Sequence, residues 1–383
     1  MSPDPDFDAP IERRGGDSLK WNRYAGRDVL PMWVADMDFR APGQVLDALR
    51  RRLDHGVFGY ASPPDTLPDA IAEAIARDHG WRIEPGWLVW LPGLVSGLNV
   101  ACRAVGRPGD AVFTCTPIYP PFLSAPRNWE RDLVCEPLVL RGGRWEWDFE
   151  RAEAAITPRT RLLLLCNPHN PTGRVFDAGE LLHVAGIAQH HDLVVCSDEI
   201  HCGLVLEPGC THLPIASLDP DIARRTITLM AASKTYNLPG LGCAFAIIPD
   251  PALRRTFRAA MAGIVPDPNV MGWVATEAAY RHGAHWRERL LEYLRGNRDR
   301  AIDAIAALPG LEARSPQATF LAWMDARGTG LPDPAAFFES AGVALSDGGA
   351  FAAPGFLRLN FGCPRWRLDE ALRRMGAALA PLR

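Results

Sequence analysis

Apolar residues recur at three-to-four spacing from Gln44 to Asp54 and from Leu67 to His79, which predicts two helices joined by the loop FGYASPPD. Short apolar runs then alternate with helical stretches. WLVWLPG (87–93) predicts a strand leading into a helix at 94–105, and AVFTCTP (111–117) and RLLLLCNP (161–168) predict two more strands. A helix at 178–190 precedes the strands LVVCSDE (193–199), TITLMAASK (226–234) and CAFAIIP (243–249). From Asn269 a helical pattern runs towards Leu308, interrupted near Gly283 and Gly296, and FLAWMDA, a helix at 334–341, FLRLNF and a helix at 367–380 close the chain. Strands without polar alternation are buried on both faces, so the pattern predicts an α/β fold with a mostly parallel, helix-covered sheet. The first 44 residues read as irregular.

In such sheets a ligand sits beyond the carboxyl ends of the strands. Here those ends carry polar chemistry: Pro92-Gly93, Thr116-Pro117, Asn167 to Gly173, Asp198-Glu199 and Ser233-Lys234. Asp198 follows LVVCS, so its carboxylate projects from a buried strand end and needs a cationic or proton-donating partner. An arginine would serve, and so would the pyridinium nitrogen of pyridoxal phosphate (PLP), whose ring the pairing keeps electron-withdrawing. Asn170 in CNPHNPTG offers an amide to a ring oxygen. PGLVSGLN (92–99) places a glycine turn before a helix start, leaving backbone N–H groups for a phosphate. Arg358, between apolar neighbours in FLRLNFG, suits either an internal ion pair or a substrate carboxylate. Tyr119, held between prolines, stacks on a planar group or simply packs.

Composition narrows the chemistry. Of 41 Lys and Arg residues only Lys20 and Lys234 are lysine, and guanidinium cannot serve as an amine nucleophile. Lys234 therefore stands as the candidate Schiff-base amine, with Lys20, in a polar leader, expected to be solvated. A formal charge of −4 without a basic block argues against nucleic-acid or membrane-surface partners. The start lacks the apolar core of a signal peptide, and no run approaches a membrane span. Nine cysteines without a C-x-x-C pair read as reduced thiols of a cytoplasmic protein. No H-E-x-x-H or Cys/His spacing occurs, and adjacent His190 and His191 on a helix diverge by about 100°, so no metal site is expected.

The ordered set TPIYPPF, CNPHNPTG, SDEIH, SKTYNLPG and LRLNFG, with the early WVADMDF, resembles the fold-type I PLP enzymes of the aminotransferase class I/II superfamily. Within them it is similar to the carbon–sulfur β-lyases of the MalY/PatB type, related to cystathionine β-lyase. The resemblance implies an aspartate-aminotransferase-like fold: a large domain with a seven-stranded, mostly parallel sheet, plus a smaller α+β domain. It implies an N-terminal segment at 1–44 joining the small domain, a PLP-binding domain at 45–280 and the small domain at 281–383. It further implies that Lys234 holds PLP and moves protons, Asp198 binds the pyridine nitrogen, and Asn170 the ring hydroxyl. His201 stands where related aminotransferases carry tyrosine, and Tyr119 stacks on the ring. The amides of Leu94 and Val95, with Ser233, hold the phosphate, and Tyr60 reaches the phosphate of a neighbouring subunit in a homodimer. Arg358, helped by backbone near Ala35, takes the substrate carboxylate. Two positions depart from the pattern: Ala231 where many relatives place serine, and Gly242 where many aminotransferases place arginine.

The implied reaction is α,β-elimination: Lys234 removes the α-proton of a small amino acid bearing a β-thioether, such as cystathionine or a cysteine S-conjugate, releasing a thiol, pyruvate and ammonia. Three alternatives stay open, namely an aminotransferase, a specialised lyase of a natural-product pathway, and a non-catalytic regulatory module on the same fold.

Overall fold

The computed structural model describes residues 4–382. Its largest sheet has seven strands: β1 (Leu88–Leu91), β2 (Ala111–Thr116), β3 (Asp132–Pro137), β4 (Thr160–Cys166), β5 (Val194–Asp198), β6 (Thr226–Met230) and β7 (Ala244–Ile247). Their spatial order is β1-β7-β6-β5-β4-β2-β3, and all run parallel except β7, which is antiparallel to both neighbours. The run LLLL within β4 shows why such strands lack alternation. Leu162 and Leu164 pack on one face, with Leu98 and Ala101 of helix Leu94–Ala104 and Phe257 of helix Pro251–Met261. Leu163 and Leu165 pack on the other, with Leu181, Val184 and Ala188 of helix Ala178–His190. Both faces are covered along this run, so each of its four positions is apolar.

A second sheet, with antiparallel pairing throughout, contains β8 (Glu312–Ala313), β9 (Leu321–Asp325), β10 (Ser346–Asp347) and β11 (Phe356–Asn360) in the order β8-β9-β11-β10. Its core merges with the long helix Ala284–Ala306 and helix Arg365–Leu379 through Leu290, Leu294, Leu359, Leu368 and Met375. The N-terminal segment joins this half of the molecule: Leu30 and Pro31 pair in parallel with Val343 and Ala344. Among the described residues no helix is long and apolar enough to cross a membrane.

Several elements differ from the sequence pattern for identifiable reasons. The strand predicted to end at Lys234 ends at Met230, and Lys234 sits four residues further on in a turn. The helical pattern after Asn269 does break at Gly283, between helices Val270–His282 and Ala284–Ala306. A Cβ there would stand 2.4 Å from the Tyr236 ring and 2.5 Å from the Ala279 carbonyl. Gly296, by contrast, lies inside the second helix and interrupts nothing. β3 escapes the pattern because it is the sheet's half-exposed edge strand and carries polar residues. Helix Pro120–Asn128 escapes it because three prolines hide it, two of them in the first turn where a missing N–H costs nothing.

The leader is ordered, and Lys20 is not solvated: its side chain is 1% exposed. Its ammonium donates to Asp38 at 3.0 Å and to the Asp36 carbonyl at 3.0 Å. Arg13 reaches Asp38 at 2.6 Å, Arg367 at 2.9 Å, and the Trp21 indole N–H donates to it at 3.1 Å. Burial pushes the Asp38 carboxyl up, yet Lys20, Arg367, Trp21 and Arg13 outweigh it and hold the carboxyl down at about 2. Three cations converge on one buried carboxylate, so Asp38→Ala leaves buried Arg367 without its ion pair and leaves Lys20 and Arg13 with Asp36 alone. It should cost about 3–5 kcal/mol in urea unfolding, while Asp47→Ala, an exposed ion pair, stays within about 0.5 kcal/mol.

Candidate active site

A cavity of about 230 Å³ opens beyond the carboxyl ends of β4, β5 and β6. Because β7 runs backwards, its amino end reaches the same edge, so Gly242, Cys243 and Ala244 line the wall beside Pro92 and Gly93 from the end of β1. Of the residues singled out in the sequence, Ala35, Leu94, Val95, Tyr119, Asn170, Asp198, His201, Ser233, Lys234 and Arg358 all line this cavity. Tyr60 does not; it is fully exposed on a loop, next to the exposed Val57 and Phe58.

Lys234 donates from Nζ to the Ala35 carbonyl at 2.5 Å. Burial, then the nearby Arg358 guanidinium, pulls its amine down to about 8, against the opposite pull of Asp36 and Asp198. A fraction of the amine is therefore neutral at ordinary pH and able to act as a base. Asp198, the last residue of β5, accepts the Ile200 amide at 3.1 Å and stands in register with Cys166. Burial lifts its carboxyl to about 7, although the Ile200 N–H and Lys234 pull the other way. Among the described residues no cation lies in ion-pair contact with it.

Arg358 presents the complementary situation. Its guanidinium is 4% exposed and donates to the Asn170 side-chain oxygen at 2.8 Å, the Trp33 carbonyl at 3.0 Å and the Ser346 hydroxyl at 3.3 Å. It also lies 4.7 Å over the Phe351 ring. All these partners are neutral, among the described residues no carboxylate faces it, and burial drags its pKa down to about 10. The internal ion pair that the sequence left open is thus absent. His201 is buried with Nδ1 unpartnered, and burial, Lys234 and Arg358 together push it down to about 3, so the imidazole is neutral.

Helix Leu94–Ala104 starts at the cavity without a side-chain cap, so its first amides stay available to an anion. The two family departures have local explanations. Ala231 packs in the apolar core and does not line the cavity. Gly242 has φ 56°, a left-handed backbone that disfavours any side chain. Trp33, Ser346, Phe351 and Cys166 were not legible as site residues; Cys166, at the end of β4, lines the cavity while its thiol donates to the Pro168 carbonyl and accepts the Asn170 amide. Far from the cavity, Glu153, His190 and His191 bring their ligand atoms within 4.8 Å of one another. The helix ends at His190, so His191 leaves the helical path and its ring stacks on its neighbour at 4.6 Å instead of diverging.

The arrangement fits PLP on its own terms. Asp198 is a buried carboxylate awaiting a protonated ring nitrogen, the uncapped helix awaits a phosphate, and the only cavity lysine lies between Asp198 and Arg358.

An aminotransferase class I and II family model matches residues 27–375. PatB of Bacillus subtilis, described as a cystathionine β-lyase, is 38% identical over 98% of this chain and 100% of its own. Among solved structures, OvoB is 48% identical with a TM-score of 0.96, covering 98% of this chain and 99% of its own. Cystalysin from Treponema denticola, which contains PLP, is 32% identical with a TM-score of 0.94, over 99% of this chain and 100% of its own.

Asp198 gives the site a measurable signature. Between pH 3.8, the ordinary carboxyl value, and about 7, the folded ligand-free chain keeps a proton on Asp198 that the unfolded chain has lost. Folding stability attributable to this group therefore falls as pH rises through that window. Denaturant titrations across it should show a steeper fall for the natural chain than for Asp198→Asn.

Proposed function

Since the chain belongs to the aminotransferase class I and II family, we propose from the site's geometry how it works as a PLP-dependent carbon–sulfur β-lyase and what it acts on. One observation carries the reading. A cavity lysine shares its chamber with a buried carboxyl and a buried guanidinium, Asp198 and Arg358, and among the described residues neither has a counter-ion. Each awaits an opposite charge, and an amino acid bound beside a protonated pyridine ring brings both.

PLP, when bound, supplies an electron sink for the carbanion at the substrate α-carbon. The residues of the chain do the rest. Arg358 receives the α-carboxylate, its planar fork already oriented by Asn170, Trp33 and Ser346. That grip turns the α-carbon towards Lys234, whose neutral amine takes the α-proton, with the Ala35 carbonyl beside Nζ to direct it. Val34, Ile200 and Pro239 line the chamber and exclude water. Asp198 serves the ring nitrogen, Asn170 the ring oxygen, Tyr119 and His201 the ring itself, and Leu94, Val95 and Ser233 the phosphate.

The substrate we assign is a small amino acid with a sulfur leaving group on the β-carbon, cystathionine or a cysteine S-conjugate. Departure of the thiolate yields, after hydrolysis, pyruvate and ammonia. The exposed Tyr60, beside exposed Val57 and Phe58, supports a homodimer in which this tyrosine enters the partner's site. Nine free cysteines, none of them paired, support residence in the reducing cytoplasm.

Incubation with cystathionine should release pyruvate and thiol with no keto acid added; a strict keto-acid requirement would instead mean amino transfer. Lys234→Ala should abolish turnover. Arg358→Ala should lower kcat/KM about 100-fold, the worth of a buried charged hydrogen-bond pair at ~3 kcal/mol.

A further inference from the structure

Each of the two chemically active side chains of the cavity is followed within three residues by an asparagine that grips the same piece of backbone. Asn237, three residues after Lys234, donates to the carbonyls of Met37 at 3.0 Å and Phe39 at 2.8 Å, and accepts the Met37 amide at 3.1 Å. Asn360, two residues after Arg358 on β11, donates to the carbonyls of Val34 at 2.6 Å and Asp36 at 2.8 Å, and accepts the Gly362 amide at 2.7 Å. Ala35, between the anchored Val34 and Asp36, receives Lys234, and Trp33, immediately before Val34, receives Arg358. We propose that Asn237 and Asn360 are positioning residues that hold the 33–39 segment against the cavity, so that its Ala35 and Trp33 carbonyls aim Lys234 and Arg358.

The segment needs such anchoring. Within it the chain makes a single backbone hydrogen bond, Asp36 N–H to the Val34 carbonyl at 2.9 Å, and the Asp38 N–H adds one to the Gly362 carbonyl at 2.9 Å, so most of its anchoring comes from side chains outside it. Lys20 and Arg13 also grip it, but through the charged Asp36 and Asp38. The two asparagines grip it without adding charge, next to a lysine whose protonation already responds to Arg358, Asp36 and Asp198 and which in turn acts on His201. Asn237 moreover has φ 56°, a left-handed backbone that asparagine tolerates better than most residues. This geometry turns its amide back over the 37–39 backbone. The two grips come from opposite sides. Asn237 belongs to the turn after β6 of the large sheet, Asn360 to β11 of the small one. Each grip lies closest along the chain to one functional group, Asn360 two residues after Arg358 and Asn237 three after Lys234, so the loss of either is felt first by that group.

The inference rests on Lys234 as base and Arg358 as carboxylate ligand, and it is tested separately from them. Asn237→Gly keeps the left-handed backbone and removes only the grip. Asn360→Ala removes the other. Asn297→Ala is the control: as buried as Asn360, it donates to the Phe361 and Cys363 carbonyls and makes no hydrogen bond to the segment. With thermal unfolding confirming that each variant folds, Asn360→Ala should raise KM for the thioether amino acid about tenfold while kcat stays within about threefold. Asn237→Gly should lower kcat about tenfold with little change in KM.

A second readout needs no turnover. The full-length chain without added cofactor, grown on lysine labelled with ¹³C at Cε, gives two lysine resonances. In Asn237→Gly the Lys234 resonance should titrate at lower pH, because its ammonium loses a fixed carbonyl acceptor. An unchanged or higher midpoint, or an equal KM rise in Asn297→Ala, overturns the proposal. An active Lys234→Ala would sink the reading of the site itself, whereas natural-like asparagine variants beside an inactive Lys234→Ala sink this inference alone.

Discussion

Asp198 and Arg358 are buried ionisable groups that have no counter-ion among the described residues, and much of the surrounding architecture serves to tolerate them. Desolvating an ionised group is costly unless something compensates. Asp198 responds by keeping its proton up to about 7, and Arg358 by spreading its donors over three neutral acceptors and an aromatic face. The chain thus stores electrostatic demand at the carboxyl edge of its sheet, where a ligand carrying both a cationic ring and a carboxylate relieves it. The lysine between them feels both charges, which is why its amine sits within reach of neutral pH.

The contrast with Asp38 is instructive. That carboxylate is equally buried but surrounded by Lys20, Arg13, Arg367 and the Trp21 indole, and its pKa moves the opposite way. A compensated charge is structural cement; an uncompensated one is a binding site. Both kinds lie within a few residues of the same N-terminal segment.

Much of this was legible in the sequence because strand ends in a parallel sheet are fixed by short apolar runs that end abruptly. Asp198 after LVVCS and Asn170 after RLLLLCNP could be placed on one edge by that logic alone. Lys234 could be picked because arginine fills nearly every other cationic position. What stayed hidden depends on long-range packing. The pattern showed nothing of the reversal of β7, since a buried strand reads the same in either direction. Lys20 looked solvated because its burial rests on Asp38, and on Arg13 and Arg367 crowding the same carboxylate. Trp33 contributes a carbonyl oxygen, for which side-chain identity is no guide. Tyr60 stands outside the cavity on a fully exposed loop, where a local pattern carries no signal of distant contacts.

The scarcity of lysine reaches beyond catalysis. One of the two amines is sealed in the core and the other lines the reaction chamber. Reagents that attack amines, including the activated esters used to tether enzymes to beads or attach dyes, thus find no lysine on the outer surface. They couple through the chain's own α-amine or they strike Lys234, the cavity lysine proposed as the catalytic base. Handles for immobilising or labelling this enzyme must come from carboxylates or from introduced groups, and a fall in activity on amine modification reports directly on the chamber.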